Sequence, residues 1–458
     1  MAIMPLTQAM FLLLETRDQP MHVGSLQLFR PPEGSGPEFL REMYEDLLDR
    51  DEMSSLFRKR AHRSPLTLGQ WAWEDDELID LEHHVRHSAL PHPGRIRELL
   101  ALVSRLHASL LDRSRPLWEA HLIEGLNDGR YAVYTKMHHA LMDGVSAAKL
   151  MERSLSTDPD VRDLPPPWAP RSRRPRKSPA GGGLLGIPRA ALGVTSDFVG
   201  LGPAVLKRAA EQALRQQAVA LPLQAPRSMF NVAITGSRRF AAQSWPMESF
   251  KAVAKASGST LNDVLLAVCS GALRKYLIEQ DALPSHSLVA MTPVSLRADD
   301  DDAEDAGVNV GTLLCTLGTD IEDPAKRMSV VRESMNAGKE AMKGLTQLQV
   351  TALSAATMAP LAVQSLVDPG GYTRPAYNLV ISNVPGPKEP LYFNGAKLEG
   401  SYPLSIPHHG QAMNITVTSY NGNLEFGIVG CRRTVPRLQR LLTFLDESLQ
   451  ELTESVGA

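Results

Sequence analysis

Cysteine is scarce in this chain of 458 residues: Cys269, Cys315 and Cys431 are odd in number, far apart and free of metal-ligand spacing. That argues against a disulfide framework or a cysteine zinc site and fits a reducing, cytoplasmic compartment. Long apolar runs are missing too. No stretch approaches the roughly 18 to 20 uncharged apolar residues that span a bilayer, so any membrane contact is expected to be peripheral. The N-terminal MAIMPLTQAMFLLLETRDQP has no early basic region and no small-residue cleavage site, and Met10 to Leu14 is too short for a signal core, so no secretion signal is expected. One-sided charge is absent. A net charge of −3 and a pI near 6.5 leave nothing global to attract nucleic acid. There is no Gly-x-Ser-x-Gly elbow and no phosphate-binding Gly-x-x-x-x-Gly-Lys-Ser/Thr loop, which removes serine hydrolase and NTPase readings.

What is present is a globular composition, 43% hydrophobic and 22% charged, long enough for two or three domains. Helical and strand-like patterns alternate through residues 1–162: helices at Thr7 to Leu14, Pro37 to Leu48 and Arg97 to Leu111, strands at His22 to Phe29, Ile79 to His87, Glu119 to Ile123 and Tyr131 to Met137. Residues 163–230 change character. PPPWAPRSRRPRKSPAGGG reads as a linker or crossover, with a basic cluster at Arg171, Arg173, Arg174, Arg176 and Lys177 and then an amphipathic helix at Pro203 to Ala220. Residues 231–458 return to alternation, with strands at Arg239 to Ser244, Ser287 to Pro293, Leu379 to Ser382, Met413 to Tyr420 and Leu424 to Cys431. Helices are expected there at Met247 to Ser257, Leu261 to Gln280, Ala325 to Lys343 and Pro436 to Val456. Two mixed α/β halves joined by a linker follow.

Chemistry concentrates at His138-His139-Ala140-Leu141-Met142-Asp143-Gly144. The histidines fall where a strand ends and a helix is about to begin, and side chains on a strand alternate faces. His139 shares its face with Val133, Thr135 and Met137, and His138 shares the other with Ala132, Tyr134 and Lys136. Only one imidazole can enter a given cavity. His139 is the better candidate base, because its face is the more apolar and an ordinary imidazole is largely the free base near neutral pH. Asp143 either orients that ring or acts as a structural anion at a turn that Gly144 lets bend sharply.

With that motif, Pro116-Leu117-Trp118, Asn262-Asp263, Pro293-Val294-Ser295-Leu296-Arg297 and Asn383-Val384-Pro385-Gly386-Pro387 make the chain resemble the bacterial wax ester synthase/acyl-CoA:diacylglycerol acyltransferase family over nearly its whole length. The resemblance implies two chloramphenicol acetyltransferase-like halves with the active site in a channel between them. It implies His139 as general base, His138, Asp143 and Asn262 as further catalytic residues, and Gly144, Arg297 and Asp263 as structural support. By analogy with related two-half acyltransferases, Asp143 would pair with Arg297. Asn262 and Asp263 also have a plain reading as caps of a helix N-terminus. Ser382 and Asn383 are candidate oxyanion donors, and Pro116, Leu117 and Trp118 either wall the acceptor channel or simply pack. Acyl-CoA would be co-substrate, with no permanently bound cofactor and no metal. Diacylglycerol or a long-chain alcohol would be the acceptor, at a membrane or lipid-droplet surface.

Other patterns carry less. His83, His84 and His87 could ligate a metal from a helix, but Leu81 to Val85 reads as a strand. His408-His409-Gly410 repeats the histidine pair without the aspartate, since Met413 occupies that place. Gly181-x-Gly183-x-x-Gly186 follows a linker rather than a strand, and Asp299 to Asp302 lacks the offsets of a calcium loop. Two alternatives stand beside the acyl-CoA reading: a carrier-protein-dependent condensation or polyketide-associated acyltransferase, and a non-catalytic lipid-binding protein. Leu424-Glu425-Phe426-Gly427 departs from the Asp-Phe-Gly-Trp-Gly segment of plant-type relatives.

Overall fold

The computed structural model describes residues 2–50, 52–63, 67, 69–170, 223–295, 310–343, 349–350, 353–354 and 373–458. Arg297, the basic cluster, the expected helix at 203–220, the glycine pattern at 181–186 and the 299–302 acidic run lie outside them. The first half runs β1 (Ala2–Ile3), α1 (Leu6–Leu14), β2 (His22–Arg30), α2 (Phe39–Asp49), α3 (Ser55–Arg58), β3 (Lys59–Arg63), β4 (Trp71–Asp75), α4 (Leu81–His84), β5 (Val85–Ala89), α5 (Ile96–Ala108), β6 (Trp118–Glu124), β7 (Tyr131–His138) and α6 (Gly144–Glu152). The second half adds β8 (Arg238–Pro246), α7 (Met247–Ser257), α8 (Leu261–Glu279), β9 (Val289–Ser295), β10 (Val310–Thr316), α9 (Pro324–Met342), β11 (Leu379–Val384), β12 (Tyr392–Phe393), β13 (Ala396–Leu404), β14 (Met413–Tyr420), β15 (Asn423–Cys431) and α10 (Arg440–Val456).

The strands form two six-stranded sheets, ordered β12-β13-β2-β7-β6-β5 and β10-β9-β11-β14-β15-β8, with a small β1-β4-β3 sheet beside them. This is the two-half mixed α/β architecture that the sequence implies. In the second half α8 is buried almost all round, from Asp263 to Leu273 without a break, because α7, α9 and α10 enclose it against the sheet. Small residues permit that closeness: a Cβ on Gly271 would meet Ser448 of α10. In the first half α5 turns Leu99 and Val103 onto Leu26, Leu28 and Tyr134, and the same cluster takes in Phe240 and Val429 from the second sheet. Core and seam are therefore continuous.

The seam depends on one exchange. β13, late in the chain, leaves the second half and pairs antiparallel with β2 of the first, from Lys397 opposite Arg30 to Leu404 opposite Gly24. The sequence reading did not anticipate it, because Gly400 and Pro403 both disfavour strands. The ladder tolerates them through a register shift between Leu398 and Gly400, and because β12 covers only the Ala396–Lys397 end, so that Pro403 has no strand on its other side. β3, β4 and β10 were also unforeseen. The expected strand at Leu81 to Val85 is corrected: Asp80 accepts from the His83 N–H and starts the one-turn helix α4 before β5 begins.

Where β13 crosses the second sheet, Gly427 of β15 lies directly under Pro403, and a Cβ at 427 would run into the Pro403 carbonyl. Gly427→Ala is expected to lower stability by about 1–3 kcal/mol, measured as a fall in the urea midpoint at unchanged m-value.

Candidate active site

Strand β7 delivers the paired histidines to the seam, and two backbone hydrogen bonds fix its end: His138 N–H donates to Leu117 O at 3.0 Å and His139 N–H to Met21 O at 2.8 Å. Alternation then separates the rings. His139, with Thr135 and Met137, lines a cavity of about 950 Å³, while His138 is fully buried on the other side.

His138 is held on both ring nitrogens. Its Nδ1 accepts from the Ala140 N–H at 3.1 Å, which puts the ring proton on Nε2, 3.2 Å from the Glu15 carboxylate. Glu15, at the end of α1, also accepts from the Met21 N–H at 3.1 Å and from Arg113 at 2.9 and 3.0 Å. Burial works to raise the Glu15 pKa, yet His138, the Met21 amide and Arg113 together hold it below its ordinary value. The sequence reading missed both Glu15 and Arg113. A lone carboxylate closing the apolar run MFLLL, and an arginine three residues before Pro116, were the available signals.

His139 has apolar company. Its ring stacks on Phe11 of α1, centroids 4.1 Å apart at 23°. Burial lowers its pKa below the ordinary histidine value, outweighing the opposing pull of Asp143 and of a hydrogen bond to its own backbone. Nδ1 is the ring nitrogen within reach of that carbonyl, so Nε2 is left as the free base. Asp143 is the N-cap of α6: its Oδ1 accepts from the Ser146 N–H at 2.9 Å and its Oδ2 from the Ser146 hydroxyl at 2.8 Å. Gly144 corrects an expectation. Its φ is not positive and the nearest atom to a Cβ there is Val23 Cγ1 at 3.9 Å, so it opens space beside the base and does not make a sharp turn.

The second sheet supplies the opposite wall. β11 and β14 run parallel with Val380 opposite Asn414 and Ser382 opposite Thr416, and all four face the cavity. Thr416 Oγ1 donates to Asn414 Oδ1 at 2.8 Å, leaving the Asn414 amino group without a protein acceptor among the described residues and open to the cavity. Asn414 was not singled out from sequence. Asn262 and Asn383 pair with each other at 3.4 Å, and neither is among the residues lining the cavity with His139, because Asn383 falls on the alternate face of β11. Asp263 is buried and completes a capping box with Thr260. His408 lines the cavity as well, with Nδ1 donating to the His409 carbonyl at 2.9 Å.

Pro116-Leu117-Trp118 does not line this cavity. Leu117 is wholly buried, and Trp118 stacks on His84 and Trp168 while its Nε1 donates to Phe57 O at 2.9 Å, so the tryptophan packs behind the histidine turn. Among the described residues no cluster of three or more His, Cys, Asp or Glu side chains could hold a metal, and no helix is long and apolar enough to cross a membrane.

Comparison with known proteins agrees with this layout. Residues 4–265 match the model of the wax ester synthase/diacylglycerol acyltransferase catalytic domain, and residues 306–453 the C-terminal domain of the same group. The chain is 52% identical to a probable diacylglycerol O-acyltransferase of Mycobacterium tuberculosis, over all of both chains. It is 42% identical to the O-acyltransferase WSD of Acinetobacter baylyi, covering 96% of this chain and 94% of that one. Among solved structures, the wax ester synthase/diacylglycerol acyltransferase of Marinobacter aquaeolei VT8 superposes with a TM-score of 0.81 at 42% identity over the full length of both. The first condensation domain of the CDA synthetase shares the fold, at a TM-score of 0.59 and 16% identity over 99% and 96% of the two chains.

Glu15→Gln is expected to cost about 2–3 kcal/mol at pH 7, since it removes a buried charged partner from the Met21 amide, His138 and the partly exposed Arg113. The folded-state pKa of Glu15 is lowered, so its contribution is complete above the unfolded value of about 4.3 and is lost as pH falls further. The gap between parent and variant in urea unfolding should therefore narrow below about pH 4.

Proposed function

The chain belongs to the wax ester synthase/diacylglycerol acyltransferase family, and on that premise we propose that its O-acyl transfer, to diacylglycerol or a long-chain alcohol, uses His139 as general base. The observation that carries the assignment is an imidazole facing a largely apolar cavity where the two halves meet, its pKa lowered by burial. Acyl-CoA is the donor in this reading. Nε2 takes the proton of the acceptor hydroxyl while that oxygen attacks the thioester carbonyl; the tetrahedral adduct then expels the thiolate of coenzyme A, which recovers the proton from the imidazolium. An ester and free coenzyme A result, with no acyl-enzyme.

The oxyanion of the adduct needs donors fixed in advance. Ser382 and Asn414 are suited to this, since both project from adjacent strands into the cavity and Thr416 sets the Asn414 amide so that it donates. Asn262 and Asn383 then act from behind β11 as positioning residues, and Asp143 fixes the start of α6 beside the base. His138 is likewise a positioning residue, anchored to Glu15. Contact with a membrane or lipid-droplet surface is supported by α1, which turns Met10, Phe11 and Leu14 into the cavity and leaves Leu13 of the same helix 53% exposed. The likeness to condensation domains is one of fold and does not favour a carrier-protein donor.

Release of coenzyme A from palmitoyl-CoA, followed with dioleoylglycerol and with hexadecanol, tests the reading: His139→Ala should lose about 10²- to 10⁴-fold in kcat, and full activity in that variant would overturn it. In the parent, kcat/KM should rise with pH through a midpoint below the ordinary histidine value of about 6.5, because the base must be neutral and burial lowers its pKa. Asn414→Ala should reduce kcat about 10²- to 10³-fold with little change in KM, and Thr416→Ser should retain most of the rate that Thr416→Val loses.

A further inference from the structure

A second, smaller cavity lies in the first half, and it is almost entirely apolar. The inference drawn from it rests on the acyl-transfer reading above. Gln27, Thr135, Met151 and Leu155 line both this cavity and the large one that contains His139, so the two are neighbours separated only by these side chains. β7 forms a common floor. Thr135, Met137 and His139 face the large cavity, and Val133 and Thr135 the small one, on the same side of the strand. Two of the four polar residues at its wall are engaged elsewhere: the Ser154 hydroxyl donates to Leu150 O and His121 Nε2 lies against Glu119, while Gln27 and Thr135 stand where it meets the large cavity. Leu47 of α2 and Trp168 line this cavity and not the large one.

We propose that this cavity is a blind subsite for the methyl end of a long alkyl chain whose reacting end lies at His139, with Met151 and Leu155 of the α6 segment standing between the two cavities. Six residues of strand separate Val133 from His139, about 20 Å at about 3.3 Å each. An all-trans chain advances about 1.3 Å per carbon, so a chain of about fifteen or sixteen carbons fills the run. The subsite thus acts as a ruler, set by Ala120 and Leu47 of its lining. Two substrates carry such a chain, the acyl group of the thioester and the alkyl tail of an alcohol acceptor, and the chemistry of recognition is the same for both.

The test measures kcat/KM for acyl-CoA thioesters of eight to twenty carbons against hexadecanol, and for alcohols of the same lengths against palmitoyl-CoA, in the parent, Ala120→Leu and Leu47→Ala. Ala120→Leu should lower the sixteen- to ten-carbon preference at least tenfold, a loss in keeping with the 10- to 200-fold that one methylene is worth in an apolar pocket. Leu47→Ala should move the optimum to longer chains. A shift confined to the thioester series assigns the subsite to the donor, and one confined to the alcohol series assigns it to the acceptor. A direct readout needs no turnover: 16-bromohexadecanoyl-CoA or 16-bromohexadecanol should quench tryptophan fluorescence in the parent and do so less in Trp168→Phe. Unchanged chain-length profiles in folded variants, or quenching that Trp168→Phe leaves intact, would overturn the proposal. Absence of transfer in the parent would instead sink the acyl-transfer reading, and the quenching arm would still decide the subsite.

Discussion

The pairing of β13 with β2 is the constraint on which the molecule depends. A strand from the second half completes the sheet of the first, so the halves share a hydrogen-bonded ladder as well as a packed surface. Ladder bonds fix register, and register fixes which side chains face the seam. The same crossing strand carries Ser401, Pro403 and Leu404 to the cavity wall and covers an edge of β2 that would otherwise be open. The backbone of Phe240 donates to Ser104 of α5 at 2.9 Å and adds a second tie on the far side of the sheet. The cavity is therefore formed by the connection between halves, and neither half encloses it alone.

Within that frame the paired histidines receive opposite environments from one strand end. His138 is given a carboxylate, an arginine behind it and a backbone donor, and so becomes an anchor. His139 is given a phenyl face and a largely apolar cavity, where burial lowers the pKa of its ring. The charge that holds the turn, on Glu15 and Arg113, is thereby kept away from the ring that faces the cavity. Desolvation favours the free base, and Asp143, committed to Ser146 at the cap of α6, stays near enough to favour the imidazolium when it forms.

The second sheet contributes what the first lacks. Parallel pairing of β11 and β14 aligns Ser382, Asn414 and Thr416 on one face, and the bond from Thr416 to Asn414 decides which end of the amide the cavity meets. The His139 imidazole from one half and the amide and hydroxyl groups from the other face one space only at the seam, and that space is largely apolar.

The sequence alone determined the strand that ends at the histidines, the face on which each ring lies and the two-half mixed α/β architecture, because alternation, helical periodicity and motif spacing are local. Most element ends fell within a few residues of the observed ones for the same reason. It left β13 unread, since Gly400 and Pro403 contradict local strand propensity and only a partner far away in the chain supplies the ladder. Glu15 and Arg113, 98 residues apart, meet at His138 through tertiary packing that no spacing rule encodes. Asn414 needed the register of β14 against β11 to be placed in the cavity. Trp118 needed the stack of His84 and Trp168 to be placed outside it. Burial and long-range pairing, fixed only in the folded chain, decided which of the candidate residues can reach a substrate.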